Sequence, residues 1–146
     1  MNSLGQWRYT CDRAATAEVY SRASLGYSSQ CNCNGCRNFV AARAEVFPPA
    51  LLSLLTALRI EPSKDGEVYH NGRLSPGKHH YGGWFHFIGT LDESGDFLPV
   101  ELGAGFTVHL CHKSAPSLEE FKGLPLVQLE FIVASVPWRL NEPEAD

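Results

Sequence analysis

The second half of the chain alternates with a period of two. In Gly105-Phe106-Thr107-Val108-His109-Leu110-Cys111-His112 every second residue from Phe106 to Leu110 is apolar, and in Leu126-Val127-Gln128-Leu129-Glu130-Phe131-Ile132-Val133 every second residue from Val127 to Val133 is. That repeat matches a strand whose two faces meet different surroundings. Residues 81–89, Tyr-Gly-Gly-Trp-Phe-His-Phe-Ile-Gly, read as a further strand, and residues 66–69 as a short one. Residues 92–96 have turn composition, and residues 118–121 read as a short helix. Alternating runs separated by turn signals predict an antiparallel sheet.

The first half carries a different period. Leu51, Leu54, Leu55 and Leu58 fall at i, i+3, i+4 and i+7, the stripe of an amphipathic helix. Pro48-Pro49 starts this helix and stops the one before it, because proline suits a first turn but not a helix interior. The preceding helix opens near Asn34 as N-cap and buries Phe39, Val40, Val46 and Phe47. Residues 7–11 and 17–20 each fit a short strand or one helical turn. The expected fold is α+β: two N-terminal helices packed on a mainly antiparallel β-sheet formed by the C-terminal two thirds. Residues 1–146 read as one domain, with 141–146 as a frayed acidic tail.

Charge and composition narrow the function. With 12 basic against 16 acidic residues, the net charge of −4 disfavours nucleic acid, whose phosphates need a basic patch. No apolar run approaches the length of a membrane span. The start, MNSLGQWRYTCDR, lacks a basic region followed by an apolar one, so a cytoplasmic location is expected. Thiols stay reduced there, and the odd count of five cysteines fits a disulfide framework poorly.

Three of those cysteines lie in six residues: Cys31-Asn32-Cys33-Asn34-Gly35-Cys36. Residues two apart in an extended segment point the same way. A turn then returns a third residue toward them, so the three thiols can face one point. Zinc in a structural site takes four such ligands. The fourth is sought among Cys11, Cys111, His109 and His112. A redox reading places Cys36 in the first helical turn, where the dipole and Arg37 would lower its pKa and let it pair with Cys33. The C-x-C-x-x-C spacing resembles part of the zinc site of the glutathione-dependent formaldehyde-activating enzymes. The resemblance covers these six residues. That family's glycine-flanked cysteine pair upstream and its C-x-x-C downstream have no counterpart here, so its activity is not implied.

Alternation also groups side chains on the sheet. If Phe85, Phe87, Phe106, Val108, Leu110, Leu129 and Phe131 are buried, then Trp84, His86, Ile88, His109, Cys111, Gln128 and Glu130 share the other face. In the right register His86, His109 and Glu130 converge as a two-histidine, one-carboxylate set for zinc or iron. The plainer alternative is an exposed polar face of cross-strand pairs. His79-His80 precedes Gly82-Gly83, where a ligand, a second backbone or a bulge would fit. Trp138 is expected to cap the core.

The leading expectation is a metal-binding protein with structural zinc on Cys31, Cys33 and Cys36. One alternative is an interaction module that contacts a protein partner or forms a homodimer. Another is a metal- or thiol-dependent enzyme.

Overall fold

The computed structural model describes residues 1–92 and 97–146. In chain order the elements are β1 (Asn2–Leu4), β2 (Trp7–Cys11), α1 (Arg13–Arg22), α2 (Tyr27–Gln30), α3 (Asn34–Val46), α4 (Pro49–Leu58), β3 (Glu67–Ser75) and β4 (Lys78–Leu91). Then come β5 (Val100–Gly103), β6 (Phe106–His112), a 3₁₀ turn (Glu119–Phe121) and β7 (Leu126–Val136). The fold is α+β. Among the described residues, seven strands form one sheet in the order β1-β2-β4-β7-β6-β5, with β3 also on β4. Every pairing is antiparallel. Apart from Asp92, the turn expected at 92–96 falls outside the described residues.

The expected order of two helices followed by a sheet is corrected. Helices are interleaved with strands, because β1 and β2 precede α1 and join the sheet through β4. Residues 17–20 belong to α1, which buries only Thr16, Val19 and Tyr20. Those three sit at i, i+3 and i+4 among Ala, Ser, Arg and Glu, so the helical stripe is narrow. Asp12 caps α1 by accepting the Ala15 N–H at 3.0 Å. No single helix among the described residues is long and apolar enough to cross a membrane.

The alternating strands set one face of the sheet against α3 and α4. Phe131 of β7 is fully buried and meets Phe39, Phe47, Phe85 and Phe106 at ring separations of 6.0, 5.6, 5.9 and 5.6 Å. Burying one such ring contributes about 1.5–3 kcal/mol, so this cluster is a main source of stability. Of the leucine stripe in α4, Leu51, Leu55 and Leu58 are buried and Leu54 is half-buried against the same core.

The opposite face of β4 is not an exposed polar surface. Trp84, His86 and Ile88 are buried as well, Trp84 and Ile88 less completely than Phe85 and Phe87. The 113–124 segment folds over them: Trp84 Nε1 donates to the Pro116 carbonyl at 3.0 Å, and the Phe121 ring stands 6.4 Å from His86. The glycine pair is filled from within. The Tyr69 ring occupies the place a Gly82 side chain would need, and the Phe131 ring does so at Gly83. The bulge lies just before, between His79 and Tyr81 in the β4–β7 register.

The C-terminal segment returns to α3. Buried Asn38 donates to the Pro137 carbonyl at 3.0 Å and accepts the Arg139 N–H at 2.6 Å. Trp138 lies over His79, with centroids 4.9 Å apart. Within the acidic residues expected to fray, Glu142 pairs with Arg37 at 2.8 Å. Glu144 accepts from Gly77 N–H at 2.7 Å and meets His79 Nε2 at 2.9 Å.

Candidate metal centre

Asp65 sets up the segment that carries the cysteines. Its carbonyl accepts the Tyr27 N–H at 2.9 Å and its carboxylate accepts the Ser28 N–H at 3.0 Å. Both donors lie in the first turn of α2, which needs such partners. Cys31 ends α2, with its N–H on the Tyr27 carbonyl. Three residues later the chain enters α3.

The N-cap of α3 is Cys33 rather than Asn34, which is the first helical residue. The Cys33 backbone is extended, and its sulfur accepts the Cys36 N–H at 3.3 Å. Sulfur is a larger acceptor than the asparagine oxygen usual at that position, and it takes the same N3 donor. Cys31 Sγ lies 3.2 Å from Cys33 Sγ. The sulfurs of Cys31, Cys33 and Cys36 all lie within 4.8 Å of one another. Cys36 is buried, with its thiol 3.9 Å from the Val68 carbonyl of β3, while Cys33 is exposed.

The three thiols are unlike in acidity. Partial burial pulls Cys33 upward, but the N–H groups of Cys36 and Gly35 and the neighbouring thiols outweigh it, so its pKa is lowered. Burial pushes Cys36 strongly upward, and the adjacent sulfurs add to the shift. The expectation that Cys36 is the activated thiol is therefore corrected: position favours it, but desolvation prevails. Arg37 points away to Glu142 and to the Asn32 carbonyl.

The proposed fourth ligands are elsewhere. Cys11 lies on β2, its sulfur 3.8 Å from the Leu58 carbonyl. Cys111, His109 and His86 sit on the sheet, and none belongs to the Cys31–Cys33–Cys36 group. His112 ends β6, exposed.

Register decides the sheet histidines. His109 is paired with Glu130, and His86 with Gln128, one step away. His109 Nε2 meets Glu130 Oε2 at 3.3 Å, and Cys111 Sγ lies 3.9 Å from Glu130 Oε1. His109, Cys111 and Glu130 form a second donor group within 4.8 Å. His86 is outside it. Its Nε2 meets Gln128 Oε1 at 3.0 Å, and Gln128 Nε2 donates onward to Glu130. The His109 contact holds Glu130 below the usual carboxylate range. Burial, with the Glu130 charge beside it, pushes the Cys111 thiol up to about 11.

A third cluster was not read from the sequence. His70 Nε2 meets His79 Nδ1 at 2.8 Å, and His79 in turn meets Glu144. The adjacent His79-His80 pair was visible, but the pairing of β3 with β4 that brings His70 to His79 and the return of Glu144 to them were not.

His86 lends itself to a pH test. Burial lowers its pKa to about 4, against an opposing contact from Gln128. Its Nδ1 has no partner among the described residues. An unfolded histidine titrates near 6.5, so between that pH and about 4 the unfolded chain binds the extra proton. Stability therefore rises with pH in this window, by up to about 1.4 kcal/mol per pH unit, and is lost on acidification. Urea unfolding from pH 7 to 4.5 is expected to show this slope, and His86→Gln to flatten it. Equal slopes would refute the assignment.

No match to a protein-family model, a curated protein or a solved structure was found for this chain. The likeness to the formaldehyde-activating enzymes stays confined to six residues.

Proposed function

We propose that this chain binds zinc through Cys31, Cys33 and Cys36, and that the ion ties the end of α2 to the first turn of α3. One observation carries the reading: three sulfurs within 4.8 Å of one another at a helix N-terminus. Tetrahedral zinc with Zn–S bonds of about 2.3 Å separates its sulfurs by about 3.8 Å, so small shifts admit the ion. Thiolates select a thiophilic metal over magnesium or calcium. The lowered pKa of Cys33 supports the reading, because metal binding must displace thiol protons. The three sulfurs would supply three of the four positions that zinc fills.

Thiol reactivity tests this directly. In metal-free protein Cys33 is expected to alkylate fastest of the five cysteines, being exposed and acidic. Stoichiometric zinc is expected to slow that reaction about tenfold or more, since the lone pair is then engaged. Peptide mapping after brief iodoacetamide treatment reads the outcome. Labelling of Cys33 that zinc leaves unchanged would contradict the proposal.

A further inference from the structure

The sheet face away from α3 and α4 holds a second arrangement that the cysteine cluster does not explain. His109 and Cys111 are two apart on β6 and project to the same side. Glu130 stands opposite His109 on β7. Placement on two paired strands is stiffer than placement on a loop.

The three side chains are close enough to share one ion: a donor atom from each lies within 4.8 Å of the others. A tetrahedral ion with bonds of about 2.0–2.3 Å to nitrogen, oxygen and sulfur separates its donors by about 3.3–3.8 Å. Glu130 reaches both neighbours, His109 Nε2 at 3.3 Å through Oε2 and Cys111 Sγ at 3.9 Å through Oε1, so small side-chain shifts bring the three donors to that spacing. The side chains of His109 and Glu130 are 32% and 22% exposed, so an ion reaches the group from solvent.

The surroundings fix the ligands. Glu130 accepts from Gln128, which is fully buried. Gln128 Oε1 is itself engaged by His86 Nε2 and by the Ser114 N–H at 3.3 Å. Burying a glutamine in an apolar sheet costs free energy unless its amide is partnered, as both of its polar atoms are here. Orienting partners of this kind behind a carboxylate are what metal sites use. The Trp7 ring, 6.4 Å from His109, borders the imidazole.

We infer that His109, Cys111 and Glu130 form a second divalent-metal site, suited to zinc, whose fourth position is open to solvent. Three unlike ligands with a free position are the arrangement that leaves zinc able to take water or an anionic ligand. This site is independent of the cysteine cluster.

Cobalt(II) titration of the full chain tests it, because thiolate-to-cobalt absorption appears only where a cysteine binds the ion. The intact chain is expected to take up about two equivalents. Cys111→Ser is expected to abolish one thiolate-linked step and Cys33→Ser the other. If the Cys33 variant loses all binding while the Cys111 variant loses none, the second site is overturned and the first stands. If only the Cys111-linked step exists, the second site stands and the first falls. No cobalt uptake overturns both. Should Cys111→Ser fail to fold, Glu130→Gln is read instead: affinity within twofold of the intact chain at the Cys111-linked step overturns the inference.

Discussion

Phe131→Ala is expected to be among the most destabilising single changes in this chain, costing about 3–5 kcal/mol. Its ring is fully buried and touches rings from α3, the α3–α4 junction, β4 and β6. Removing it opens a cavity that four aromatic neighbours, each held by its own backbone, cannot close. For a chain of this length the cost corresponds to a melting shift of about 6–20 °C. Leu52→Ala, on the exposed side of α4, serves as the control. It is expected to change stability by about 0.5 kcal/mol or less. Similar midpoints for the two variants in urea would contradict the placement of the core.

Zinc is expected to stabilise the intact chain by a comparable amount. An ion that binds only the folded state at about a thousand times its dissociation constant contributes about 4 kcal/mol. That corresponds to a rise in melting temperature of about 8–16 °C, reversed by a chelator. The gain follows from the position of the ligands, which join the end of α2 to the N-cap and first turn of α3. In a Cys31→Ser, Cys33→Ser, Cys36→Ser variant the zinc-dependent rise is expected to shrink by most of this amount. A rise that persists in full would remove the cysteine cluster from the account.

The sheet was legible because its signal is local. In β6 and β7 the period of two carries Phe106, Val108, Leu110, Leu129 and Phe131 to one face, and the structure buries all five. The stripe of α4 was legible for the same reason. Residues 81–89 were legible as a strand, but not that β4 runs over Lys78–Leu91 and is buried on both faces, because that depends on the 113–124 segment covering it. The short strands β1 and β5 carry too few residues to show a period. The interleaving of β1 and β2 with the helices depends on distant pairing with β4, which no local pattern encodes.

The candidate sites divide along the same line. The cysteine cluster was legible because its geometry lies within six residues. Which thiol is acidic was not, because burial against β3 raises Cys36 while exposure at the N-cap leaves Cys33 lowered. On the sheet, shared parity correctly set His109 and Glu130 on one face. Register then replaced His86 by Cys111 in the donor group. A shift of one pair decides such a constellation, and the sequence of each strand alone does not contain it.

Elemental analysis of the chain purified without chelators shows whether Cys31, Cys33 and Cys36 hold a metal. The expected result is at least about one equivalent of zinc, with Cys33→Ser retaining about one equivalent less than the intact chain. Less than about a tenth of an equivalent of any transition metal in the intact chain, with none gained on adding zinc, would contradict the claim.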